Sequence, residues 1–185
     1  MSIPQQSRWA ALAVAGLTAF SASAWADKVH LVTSMGDIVI ELDAQKAPKS
    51  VANFEQYVKE GHYDGTVFHR VIPNFMIQGG GMLPSLAEKP TRKAIPLESH
   101  NGLANVKGAV SMARTGERDS ATAQFFINVQ DNPFLDQGDG YAVFGHVVSG
   151  MDVVEKIRMV PTANKGMYQD VPRTAVIIKK ATLEK

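Results

Sequence analysis

The chain has 185 residues, with 19 Lys and Arg against 18 Asp and Glu and a formal net charge of +1 at neutral pH. So even a balance, with no block of like charge, carries no nucleic-acid footprint. Cysteine is absent, which removes disulfides, thiol catalysis and most zinc sites together.

The first 26 residues carry one charge, Arg8, then the apolar run Trp9–Phe20 and the small residues Ala24 and Ala26 around Trp25. This is the layout of a secretory signal peptide, with cleavage expected after Ala26. The apolar run is too short to span a bilayer, so no stable membrane association is expected once it is removed. Residues 27–185 then form one domain large enough for its own core. The lack of cysteine, of Asn-x-Ser/Thr acceptors and of a retention sequence at Leu183-Glu184-Lys185 favours the bacterial periplasm.

Val29–Val32 and Ile38–Leu42 are β-branched-rich runs that read as an antiparallel hairpin, with Gly36 at the positive-φ position of its turn. Val51, Phe54 and Val58 recur at helical spacing behind Pro48, and Gly61 ends that helix. Strands are predicted at Thr66–His69, Phe75–Gln78, Ala109–Ala113, Gln124–Asn128, Ala142–Val147 and Ala175–Lys179. Gly79–Leu103 reads as loop with one short strand near Ile95–Glu98. A second helix is predicted over Met151–Met159, with Val153, Val154 and Ile157 facing inward. Many short strands with two helices favour a mainly β antiparallel barrel closed by helices.

The run Phe68-His69-Arg70-Val71-Ile72-Pro73-Asn74-Phe75-Met76-Ile77-Gln78-Gly79-Gly80 puts a cation, an aromatic, a thioether and an amide on two short runs joined at Ile72-Pro73-Asn74. It resembles the signature of the cyclophilins, the barrel-shaped peptidyl-prolyl cis/trans isomerases. Gly108–Arg114, Ala123–Asn128, Phe134–Asp136 and Tyr141–Gly145 resemble the family's next blocks, in order. The resemblance runs from about Lys28 to Thr182. It implies a closed eight-stranded antiparallel β-barrel capped by two α-helices. The implied enzyme accelerates X-Pro isomerisation in unfolded or partly folded exported polypeptides, needs no cofactor and is a monomer.

Rotation about a peptide bond makes and breaks no covalent bond, so neither nucleophile nor metal is required. It needs a grip on proline and a fixed cation or donor for the lone pair that the imide nitrogen gains when twisted. Arg70 matches the family's catalytic arginine, and its guanidinium stays charged. Phe75, Met76, Phe126, Phe134 and Leu135 would form the apolar seat, although spacing alone places Phe126 in ordinary core. Phe125, of opposite parity, should face the interior. Gln78 and Gln124 resemble the two site glutamines, one orienting Arg70 and the other binding substrate backbone, with an idle cross-strand amide pair as the alternative. Ala113, Arg114 and Thr115 match the edge that binds residues before proline, and Arg114 inclines it toward acidic or polar neighbours. A binding module that holds proline segments with little turnover is the competing reading of the whole set.

Three residues depart from the family's usual pattern. Phe134 replaces a tryptophan whose indole N–H binds cyclosporin, so weak cyclosporin binding is expected. Tyr141 replaces a common histidine and also lines the site. Asn74 replaces a glycine, and asparagine tolerates positive φ. His30, His62, His69, His100 and His146 show no metal-ligand spacing, and Asp131, Asp136 and Asp139 do not fit a calcium loop.

Overall fold

The computed structural model describes residues 27–184, so the expected leader lies outside the described residues. In chain order the elements are β1 (Lys28–Thr33), β2 (Gly36–Leu42), α1 (Pro48–Lys59), β3 (Phe68–Ile72), β4 (Met76–Gly79), β5 (Ala109–Met112) and β6 (Phe125–Asn128). A 3-10 turn at Pro133–Asp136 follows, then β7 (Val143–Ser149), α2 (Met151–Arg158), β8 (Thr162–Lys165), β9 (Tyr168–Pro172) and β10 (Ile178–Glu184). One eight-stranded sheet runs β10-β1-β2-β7-β5-β6-β4-β3, with every neighbouring pair antiparallel.

Its outer strands meet at a single bridge, Val67 with Ile177, flanked by the Phe68 N–H on Val176 O (2.9 Å) and the Ile178 N–H on Thr66 O (2.8 Å). The expected full closure is thus corrected to a barrel whose last seam is a bridge rather than a ladder. A turn at Tyr63–Thr66 below Val67 and a bulge at His69 above it prevent a longer pairing.

β1 and β2 alternate as a half-buried hairpin should, burying Val29 and Leu31 against Ile38, Ile40 and Leu42. Helix α1 buries Val51, Phe54, Tyr57 and Val58 and starts at Pro48, where a missing N–H costs nothing. Ala47 offers its N-terminus no side-chain cap. Glu98 caps it instead, accepting from Lys49 N (3.0 Å), Ser50 N (2.7 Å) and Ser50 Oγ (2.8 Å). The strand expected near Ile95–Glu98 shrinks accordingly to one bridge, Ile95 with Ala121. Pro96 has no N–H to donate, and the Leu97 N–H goes to Asp119 Oδ1 at 2.9 Å.

Phe54 sits at the middle of the core, its ring 4.9, 5.3 and 5.0 Å from those of Tyr63, Phe125 and Phe144. The Tyr63 hydroxyl donates to Ala123 O at 2.9 Å, so the buried phenol is satisfied. Helix α2 adds Val153, Val154 and Ile157 to the same cluster.

Candidate functional site

Strand register assembles the site. Arg70 on β3 opposes Gln78 on β4, Gln78 opposes Phe126 on β6, and Phe126 opposes Ser111 on β5. Directly opposed residues share a face of a sheet. The row therefore lies on the face away from the core, which takes Ile77 and Phe125 instead.

Arg70 reaches that face through the bulge. Phe68 pairs with Gly79 and Arg70 with Gln78, leaving His69 as the extra residue. Plain alternation from the buried Phe68 would turn Arg70 inward. The inserted residue flips the parity, and Val71 returns to the core.

Below the row, Met76, Phe126 and Leu135 form a second apolar cluster, edged by Phe75, Ala113 and Tyr141. These six residues, with Arg70, Gln78, Arg114 and Phe134, line a cleft of about 460 Å³. Phe134 is 54 % exposed and tilts against Phe75 with ring centroids 5.5 Å apart. The two other expected site residues, Thr115 and Gln124, line an adjoining recess of about 150 Å³, which also takes in Ser120 and Thr122. Gln78 Nε2 donates to Gln124 Oε1 at 2.9 Å, so the glutamines pair with each other across the boundary of the two cavities. Gly81 allows this, since a Cβ there would stand 2.4 Å from Gln124 Cγ. Asn74 completes the β3–β4 turn without positive φ, so its tolerance is not called upon.

A network of buried amides, which the sequence reading missed, holds the seat from beneath. Asn132 Nδ2 donates to Phe75 O (2.9 Å) and Asn128 Oδ1 (2.7 Å), and Asn128 Nδ2 donates to Asn105 Oδ1 (3.1 Å). Asn105 Nδ2 donates to Asp136 Oδ1 (2.7 Å), and Ser111 Oγ to Asn105 Oδ1 (2.7 Å). The Phe75 turn and the segment carrying Leu135 are thereby tied together. The available signal was Asn128 at the end of an apolar strand, a polar group that burial obliges to find partners.

Arg70 and Arg114 are the charged residues of the cleft, and neither joins an ion pair among the described residues. His69, behind Arg70, is 6 % exposed, and its Nδ1 has no partner. Burial, helped by the Arg70 charge, pushes its pKa down to about 4, so the imidazole is neutral at pH 7. A half-buried cation beside an apolar seat can stabilise developing electron density more strongly than it would in water.

The profile of the family described as "Cyclophilin type peptidyl-prolyl cis-trans isomerase/CLD" matches residues 28–183. "Peptidyl-prolyl cis-trans isomerase A" of Dickeya dadantii is 53 % identical over 182 residues, covering 95 % of this chain and 96 % of that one. "Peptidyl-prolyl cis-trans isomerase B" of Escherichia coli is 54 % identical over 157 residues, covering 82 % and 96 %. A crystal structure of a Cryptosporidium parvum cyclophilin type isomerase matches with a TM-score of 0.77 at 27 % identity, covering 87 % of this chain and 99 % of that one.

Proposed function

This chain belongs to the cyclophilin-type peptidyl-prolyl cis-trans isomerases, it acts on proline-containing peptides, and we propose that Arg70 supplies its catalytic cation, with Phe75 and Gln78 beside it. The observation that carries this assignment is the Arg70–Gln78–Phe126 row above an apolar seat. Amide resonance opposes rotation with a barrier of about 18–20 kcal/mol. In the twisted state the imide nitrogen becomes pyramidal, and the Arg70 guanidinium donates to its lone pair. That contact is absent from the planar ground state, so it lowers the barrier rather than merely tightening binding.

Met76, Phe126 and Leu135 hold the proline ring, with Phe75 and Phe134 at the lip. A weakly polar ring without a donor suits an aromatic and thioether wall. Gln78 keeps Arg70 in its row. Gln124 accepts from Gln78 and retains its own amide N–H groups for a substrate carbonyl. Ala113, Arg114, Thr115 and Tyr141 complete the rim.

The leader-like residues 1–26 and the bacterial relatives support a periplasmic enzyme that assists the folding of exported proteins. The test is to recover the chain from a periplasmic fraction, read its N-terminus and follow a short proline peptide by exchange NMR. A chain starting at Asp27 that accelerates exchange is expected. Retention of residues 1–26 would sink the assigned location, and peptide binding without acceleration would leave only a proline-segment binder.

Phe134 keeps the apolar lip but has no N–H donor. Phe134→Trp is expected to tighten cyclosporin binding about tenfold, the worth of one added hydrogen bond, read by calorimetry. Tight binding by the unaltered protein would overturn this.

A further inference from the structure

Arg114 is held more firmly than a rim arginine needs to be for solubility. Its Nε donates to Gly140 O and its Nη1 to Thr115 O, both at 3.0 Å. The guanidinium also lies 4.8 Å above the centre of the Tyr141 ring. An arginine has five N–H donors, so three remain free on a group whose orientation is already fixed.

Its position is equally specific, because Arg114 lines both the cleft and the adjoining recess. No carboxylate lines either cavity, and the cleft's other charge is Arg70. Of the acidic residues on the same loop, Asp119 lies 3.7 Å from Arg118, which is also 3.9 Å from Asp139, and Glu117 lines neither cavity. A polypeptide crossing from one cavity to the other thus meets two cations and no compensating anion.

We infer that Arg114 is a specificity-determining residue that selects proline segments carrying a carboxylate side chain within two residues of the proline. This deepens the isomerase reading and rests on it. The guanidinium is pre-oriented, so a carboxylate gains a charge-assisted contact without the cost of ordering a long side chain. A lysine at the same place is repelled. Being at the rim, the preference weakens with salt.

The test uses peptides with Glu, Gln or Lys placed two before, one before or one after the proline, plus an all-alanine reference. Exchange NMR gives kcat/KM for the unaltered protein, Arg114→Gln and Arg114→Glu. At one or more of these positions the unaltered protein should favour Glu over Lys about tenfold at low salt. The ratio should fall below about twofold in 0.5 M salt and in Arg114→Gln, and invert in Arg114→Glu. Ratios are read within each variant, so a change in overall activity does not disturb them. A ratio near one at all three positions, or one that survives in both variants, overturns the inference while leaving the isomerase intact. Failure to accelerate even the alanine peptide would overturn the isomerase reading together with it.

Discussion

Arg70→Ala is expected to lower kcat/KM for a proline peptide by about 100- to 1000-fold, the usual cost of removing one preorganised donor from a transition state. The magnitude is consistent with the whole task. Raising an uncatalysed rate of about 0.01 s⁻¹ to a median turnover of about 10 s⁻¹ requires roughly 4 kcal/mol. A single removed donor is worth about 3–4 kcal/mol, so Arg70 would account for most of it. The fold should survive the change, because Arg70 is half-buried and belongs to none of the ion pairs among the described residues. Exchange NMR reads the rate and an amide spectrum reads the fold. Acceleration that persists in a folded Arg70→Ala protein would remove the arginine from the mechanism. If the variant instead loses turnover but still suppresses client aggregation as well as the unaltered chain does, holding and isomerising are separate functions of one cleft.

The way Arg70 reaches its place shows which parts of the molecule the sequence could express. The hairpin β1–β2 and both helices announced themselves because their apolar residues keep a strict period and their ends carry Gly or Pro. The bulge at His69 has no such period. Counted at a spacing of two, Arg70 falls on the core side, and only the family's motif put it in the site. The β8–β9 hairpin escaped for a different reason. Of its strand residues only Val171 and Pro172 are buried, so a polar run turning at Gly166 shows no alternation to read. β10 begins three residues later than expected, and it runs past the expected end because the exposed Lys179 and Lys180 interrupt its apolar pattern while its pairing with β1 continues to Glu184. The glutamines were legible as residues but not as a pair. Their mutual bond depends on the missing side chain of Gly81 and on strands 46 residues apart meeting in register.

Stability should fall in mild acid, and His69 is the residue expected to carry the largest single share. Its folded pKa of about 4 lies below the ordinary value of 6.5. The unfolded chain therefore takes up the proton first, and the stabilisation is complete only above about pH 6.5. It is lost progressively as the pH drops from there to about 4, for a total of roughly 3 kcal/mol. The cause is geometric. The bulge that turns Arg70 outward leaves His69 buried with Nδ1 unpartnered, where burial and the Arg70 charge oppose a second proton more strongly than the Val67 backbone favours it. Urea unfolding of the unaltered protein and of His69→Gln, from pH 7.5 to 4, isolates this contribution, since glutamine has no proton to gain in that range. His62, also shifted down by burial, is common to both proteins and cancels in the difference. The two stability curves should converge as the pH falls, with the unaltered protein losing about 3 kcal/mol more than the variant. Parallel curves would mean that the buried imidazole opens to water when protonated, and that the bulge is softer than its packing indicates.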